Sequence, residues 1–408
     1  MKLPWLFARR YLVSKKSTNA INVIAGVSAL GMFVGSLGLV LVLSVFNGFQ
    51  HLVEGLYSTF NADIVVSAVE GKSFLYNDSL LQKIKAVPGV ANYSRVIEEN
   101  ALLRWKENQD IATVKGVDEK YVDLSGVDSS LWDGDFILMK DSIPMAVVGV
   151  GIQQKLRMNL DDPGGVLSIY MPRKGKKVYV NPMNAFNEAA VSVSGSFAIQ
   201  QDFDTKYVIV PFSLAQQLTG NYDKVTSIEI GLDKNANANE VISKLKSVFG
   251  NKFAIKDRFA QNETLYKVMH TEKWAVYAIL TFILIVAAFN MIGSLSMLVI
   301  EKRKDIGILK TMGADESLIK NIFLNEGLLL SLVACVLGFF VAIILIVLQQ
   351  QFGFIQIGGA SFVVDAYPVE MQWQDFVLVF FTVAIIGGIA SWLPANRAAK
   401  SEVTLKED

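Results

Sequence analysis

The chain has 408 residues, of which 52% are hydrophobic and 19% charged, with Lys+Arg and Asp+Glu both at 38. Zero net charge argues against a nucleic-acid binder, which would carry a basic excess. A single cysteine, Cys335, excludes an internal disulfide and a cysteine-based zinc site, and two histidines, His51 and His270, leave little for metal or histidine chemistry.

The apolar residues fall in blocks. Residues 1–20 form an N-terminal segment that carries Lys2, Arg9, Arg10, Lys15 and Lys16 and no acid. Residues 21–47 hold the first block, within a stretch from 17 to 50 that has no Asp, Glu, Lys or Arg. A bilayer core takes about 20 apolar residues. The block reads as a first transmembrane helix, not as a signal peptide, because it is long and no small-x-small cleavage site follows. Residues 48–272 then have ordinary composition. Three more apolar blocks follow at 273–300, 322–350 and 376–395, separated by loops 301–321 and 351–375 and ending in a tail, 396–408.

Lys and Arg collect in cytoplasmic loops. They mark the N-terminal segment, the 301–321 loop (Lys302, Arg303, Lys304, Lys310, Lys320) and the tail (Arg397, Lys400, Lys406), whereas 349–375 has none. All four spans agree on one topology. Both termini and the 301–321 loop are expected in the cytoplasm, and 48–272 and 351–375 outside.

The outer segment of about 225 residues reads as folded protein. Period-two apolar runs predict strands at 63–68, 111–117, 145–150, 166–171, 190–196, 207–210 and 227–232. Spacings of three and four predict helices at 80–86, 214–218 and 241–249, with Gly250 just past the end of the last. The expected fold class is an α-helical membrane protein with four transmembrane helices and a large α+β extracytoplasmic domain between helices one and two. That domain has 24 Lys+Arg and 27 Asp+Glu over 48–272, so it is no polyanion binder. Within it, Arg173, Lys174, Lys176, Lys177 and Pro182 form a basic loop. On charge alone it reads as a solvated loop.

No nucleotide-binding GxxxxGK[ST], HExxH, GxSxG or C-x-x-C pattern occurs. Asp161-Asp162 before Pro163-Gly164-Gly165 reads as a turn. No catalytic constellation, metal site or cofactor of the chain's own is expected. The informative residues lie at the membrane. Gly31 and Gly35 form GxxxG, a small-residue face for close helix packing. Asn290, in the middle of span two, is expected to hydrogen-bond to a neighbouring helix. After span two, Ile306 and Leu309 are three apart and Ile308 and Met312 four apart, so they read as one apolar helix face, ended by Gly313. Such a helix serves either as an interfacial anchor or as a docking element for a cytoplasmic partner.

Three patches carry a family resemblance. They are Leu43-Ser-Val-Phe-Asn-Gly-Phe-Gln50; Ala288-Phe-Asn-Met-Ile-Gly-Ser-Leu295 with Glu301-Lys-Arg-Lys-Asp-Ile-Gly-Ile-Leu-Lys-Thr-Met-Gly-Ala314; and Leu393-Pro-Ala-Asn-Arg-Ala-Ala-Lys400. The chain resembles the permease subunits of lipoprotein-releasing ABC transporters, within the wider group of the macrolide exporter and the cell-division permease. In the last patch Leu393 replaces the family's usual Tyr.

The resemblance implies a non-catalytic subunit of the bacterial inner membrane with a periplasmic domain. It would pair with a second copy or a sister permease above a cytoplasmic ABC ATPase dimer, and that partner would bind the ATP and magnesium. Glu301, Lys302, Arg303, Lys304, Ile306, Ile308, Leu309, Lys310, Met312 and Gly313 would form a coupling helix that touches the ATPase. Leu43, Phe46, Asn47 and Phe49 are candidates for a cavity that holds the acyl chains of a lipoprotein in membrane lipid. The basic loop would recruit a periplasmic lipoprotein chaperone. Two alternatives stand beside this: a mechanotransmission permease that drives a cell-wall hydrolase or exports peptides, and a membrane-anchored binding or sensor protein with no ATPase.

Overall fold

A computed structural model describes residues 19–160, 162, 164–173, 185–356 and 366–401. Residues 53–266 form one compact unit, and the helices on either side form the other. The chain enters through helix α1 (Asn19–Phe60), which runs past the apolar boundary at 47.

The 53–266 unit then alternates strands and short helices. In chain order these are β1 (Ile64–Ala68), β2 (Phe74–Leu75), α2 (Asp78–Lys85), β3 (Val90–Trp105), β4 (Asn108–Val117), β5 (Leu131–Gly134), β6 (Met139–Lys140), β7 (Ile143–Gly149) and α3 (Val150–Leu156). They continue as β8 (Leu167–Pro172), β9 (Phe186–Phe197), α4 (Gln201–Asp204), β10 (Tyr207–Pro211), α5 (Phe212–Thr219), β11 (Lys224–Val225), β12 (Ser227–Leu232), α6 (Ala238–Phe249), β13 (Phe253–Asp257) and α7 (Arg258–Gln261). Each predicted strand and helix has a counterpart. Gly250 closes α6 at φ +63°, a left-handed value that glycine adopts freely.

β3, the longest strand among the described residues, carries no clear period-two signal. It is the hub of the sheet: it pairs with β4 from Val96 to Trp105, with β12 in its first half and with β8 near its end. Neighbours Val96 and Ile97 are both buried, which breaks the period-two signal. The cause is a sheet covered on both faces. Ile97, Val114, Val148 and Val210 pack under α2, α3, α5 and α6. Val96, Val117, Val147 and Ile209 pack on the other side against Phe60, Tyr121, Phe197 and Phe203. A strand buried on both sides reads as a mixed run, not an alternating one.

The helical unit continues with α8 (Glu263–Glu301), α9 (Arg303–Thr311), α10 (Glu316–Phe352) and α11 (Trp373–Ala399). With α1, helices α8, α10 and α11 are long and apolar enough to cross a membrane. α8 begins ten residues before the apolar boundary at 273. Asp315 caps α10 by accepting from Leu318 N at 2.9 Å. α10 and α11 approach closely through two reciprocal small pairs. A Cβ on Gly327 would meet Ser391 Oγ at 2.1 Å, and one on Gly387 would meet Ser331 Oγ at 2.3 Å. Without water to drive burial, such small residues let spanning helices gain contact.

Candidate functional site

Two polar clusters occupy opposite ends of the helical unit, and helix α9 lies at one of them. Its apolar residues do not share one face, contrary to the sequence reading. Ile306 and Ile308 lie about 200° apart on a helix of 3.6 residues per turn. Ile306 is 3% exposed and packs in the core, with Leu309 half-buried beside it. Ile308 is 57% and Met312 79% exposed. With Lys304 and Thr311, which are also exposed, they form an outward face with spacings of three and four. Lys310 on the inward side donates to Ala399 O at 2.9 Å and Ser401 O at 2.7 Å. It thereby satisfies free carbonyls at the end of α11, where a cation is favoured. Lys302 pairs with Asp305 at 3.3 Å, Arg303 is exposed, and Glu301 ends α8 half-buried. Gly313 follows at φ +92° and releases the chain toward α10.

At the other end, α1, α8 and α11 meet in a polar triad of two buried residues and a half-buried lysine. Asn47 Nδ2 donates to Asp375 Oδ2 at 2.6 Å. Lys273 Nζ donates to Asn47 Oδ1 at 2.7 Å and lies 3.2 Å from Asp375 Oδ1. Asn47 is 1% and Asp375 5% exposed.

The cavity candidates sit beside this cluster. Leu43 is buried in the helical core. Phe46 and Phe49 are half-buried, and Phe49 meets Tyr367 edge-on at 5.5 Å. Gly31 and Gly35 face α8, where Cβ atoms would meet Ala287 at 3.2 Å and Leu284 at 2.5 Å. Ser28 Oγ donates to the backbone carbonyl of Asn290 at 3.0 Å, whereas the Asn290 side chain is exposed. Arg173 follows the end of β8, and its Nε donates to Asn187 Oδ1 at 2.8 Å. Lys174, Lys176, Lys177 and Pro182 lie outside the described residues.

In the 53–266 unit the last residue of α1 is seated over a buried charge. Lys115 Nζ lies 2.7 Å from Glu229 Oε1 and 3.6 Å from Glu98 Oε1, and 4.6 Å from the Phe60 ring centroid. Tyr121 OH donates to Phe60 O at 3.3 Å. Burial alone would lower the Lys115 ammonium, but Glu229, Tyr121 and Glu98 outweigh it and hold it well above its ordinary range. Burial likewise pushes the Tyr121 phenol up to about 12.

Residues 25–248 match the family model of the MacB-like periplasmic core domain, and residues 277–403 match that of the FtsX-like permease C-terminal region. Similar proteins include the lipoprotein-releasing system transmembrane protein LolE of Haemophilus influenzae. It is 24% identical, with 98% of each chain covered. LolC of Xylella fastidiosa is 25% identical over 96% of this chain and 95% of its own. LolC of Neisseria meningitidis is 23% identical over 96% of each. The chain belongs to the LolC/LolE permease family. It is a multi-pass membrane protein whose periplasmic domain lies between its first and second spans.

In this LolC/LolE-type permease, several residues escaped the sequence reading. Lys273 and Asp375 are the last charges before spans two and four, and that position was their only signal. Gly327-x-x-x-Ser331 and Gly387-x-x-x-Ser391 repeat the small-x-x-x-small spacing of span one and were there to be found. Lys115 and Glu229 stand 114 residues apart, so only the fold shows them as a pair.

Proposed function

We propose that this chain is the permease subunit of an ATP-driven complex that extracts lipoproteins from the outer leaflet of the inner membrane and hands them to a periplasmic chaperone. Relatives named for lipoprotein release support this over almost their whole length. The observation that carries it is the outward face of α9. Ile308 and Met312 are apolar and exposed while Lys310 fixes the helix to the end of α11. An anchor lying in a membrane surface would need no such attachment. A docking helix that carries load does.

The Lys and Arg distribution supports a topology with both termini and α9 in the cytoplasm. A lipid anchor costs about 0.8 kcal/mol per CH₂ to withdraw from apolar surroundings. Two or three acyl chains therefore need an external source of free energy. The sequence has no nucleotide-binding pattern, so a cytoplasmic ATPase dimer supplies it and binds the ATP and magnesium. A second permease, identical or a sister chain, completes the pore. Phe46 and Phe49 offer their uncovered ring surface to the acyl chains, with Leu43 and Asn47 supporting them from inside. The basic loop from Arg173 to Pro182 meets the chaperone.

Purification in mild detergent followed by mass spectrometry tests the reading. An ATPase and acylated lipoproteins are expected to co-elute. An ATPase with a cell-wall hydrolase instead would favour mechanotransmission, and no ATPase at all would favour a binding or sensor protein.

A further inference from the structure

We infer that Lys273, Asp375 and Asn47 form a fixed joint that carries the movement of spans two and four to the outer end of span one. They are positioning residues for the release step, and the inference rests on the transport reading above.

The triad is closed. Lys273 faces Asp375, the Asn47 amide donates to Asp375, and the Asn47 carbonyl accepts from Lys273, all within 3.2 Å. Each pair of helices among the three is thus linked by at least one polar contact. Apart from the Ser28 contact to the Asn290 carbonyl and the Tyr277–Thr382 hydroxyl pair, the described contacts between these helices are made by apolar and small side chains, which tolerate sliding because lipid and leucine are alike as surroundings. An ion pair with a buried carboxylate and a half-buried ammonium does not tolerate it. Sliding would leave two charges and an amide without partners at the edge of the hydrocarbon. The triad therefore sets the depth and rotation of span one against spans two and four.

Two further contacts tighten the same place. Glu370 N donates to Ser44 O at 2.9 Å, which ties the segment before α11 to span one. Gly48 lies against the Pro368–Val369 backbone, where a Cβ would come within 2.4 Å of Pro368. Only glycine allows that approach. The Asn47-Gly48 pair thus serves one junction.

The other end of the assembly is fixed too. Lys310 holds α9 to the end of α11, and Tyr277 OH and Thr382 Oγ1 join α8 to α11 at 2.5 Å between the two ends. Spans two and four are therefore tied directly at the outer end and once below it, and α9, which follows span two, is tied to the end of span four. A push on α9 reaches the outer end of span one, where Phe46 and Phe49 sit, without a sliding step.

The test uses the whole complex with its ATPase, reconstituted in lipid nanodiscs, with C335A as the background. Two readouts are taken: lipoprotein released per ATP hydrolysed, and the ATP-induced emission change of a fluorophore on His51→Cys, whose side chain is 78% exposed. Lys273→Met and Asp375→Asn are expected to keep ATP hydrolysis within twofold. They should lose at least tenfold in release per ATP and should lose the emission change. The reversed pair, Lys273→Asp with Asp375→Lys, should recover most of both, because the Asn47 amide can turn over to serve exchanged charges. Asn47→Cys with Asp375→Cys should behave like the single variants until a short thiol crosslinker joins the two, and then recover.

Unchanged release per ATP and emission in the single variants would overturn the joint. So would a crosslinked pair that stays uncoupled, and this arm decides the matter even if the single variants assemble poorly. Failure of the lipoprotein reading looks different: the wild type would release nothing, while the emission readout, which needs no cargo, still judges the joint.

Discussion

The outward face of α9 makes the sharpest demand. Ile308 and Met312 are replaced by Asp, singly and together. Fully burying an aliphatic side chain is worth about 1.5–3 kcal/mol. Ile308 has 57% and Met312 79% of its surface still uncovered. Scaled by those fractions, docking gains about 1–2 kcal/mol from each and about 3 kcal/mol from the pair. At 1.4 kcal/mol per tenfold, the double variant should bind the ATPase more than 100-fold more weakly. Each new carboxylate adds a desolvation cost in the same direction.

The permease itself should hardly notice. Substitutions at exposed positions away from special features change stability by about 0.5 kcal/mol or less. Ile306 provides the contrast, since it is 3% exposed in the helical core. Ile306→Ala should destabilise by about 2 kcal/mol or more and weaken ATPase binding only through that loss. The assay is a titration of purified permease in detergent with the isolated ATPase, alongside thermal unfolding of each variant. An Asp pair that binds the ATPase as tightly as the wild type would refute the reasoning. α9 would then be an interfacial anchor, and its exposed face would meet lipid.

Other expectations are read from unfolding of the full-length protein in detergent. Lys115→Met leaves Glu229 buried without its partner and should cost about 3–5 kcal/mol, whereas Lys115→Met with Glu229→Met should recover most of it; equal losses in the single and double variants would show that the ion pair is not the cause. Asp204 is pushed up to about 6, mainly by burial, although the backbone N–H groups of Ile199 and Gln200 pull it down. Its folded value lies above the unfolded value of about 3.9, so stability is full below pH 4, falls by up to about 3 kcal/mol between pH 4 and 6, and is level above. Asp204→Asn should remove that slope, and a difference between wild type and variant that is constant from pH 4 to 7 would contradict it. Gly387→Ala drives a Cβ to 2.3 Å from Ser331 Oγ, whereas Gly388→Ala meets only Leu328 at 3.6 Å. The first should lower stability by about 1–3 kcal/mol and the second should change it little; the reverse order would mean that α10 and α11 do not pack as described.

What could be read from sequence depended on how far apart the interacting residues stand. A span in a bilayer must satisfy its own backbone, so 20-odd uncharged residues announce a helix with no help from tertiary structure. Strands with one dominant core, such as β8 and β12, announced themselves by alternation for the same local reason. β3 did not, because Val96 and Ile97 serve cores on opposite faces, and those cores are supplied by residues as distant as Phe60 and Leu245. The helix after span two was legible as a helix but not as two faces. Ile306 and Ile308 are chemically alike, and only α10, α11 and the Lys310 contact to Ala399 decide which of them turns inward. The triad lies at the far end of this scale. Asn47, Lys273 and Asp375 are each ordinary residues at the edge of a span, separated by 226 residues or more from Asn47. What makes them a junction is that the apolar stretches of three helices end side by side, an arrangement set by the bilayer rather than by any short-range pattern. The residues that tie moving parts together are thus the ones a local reading is least able to find.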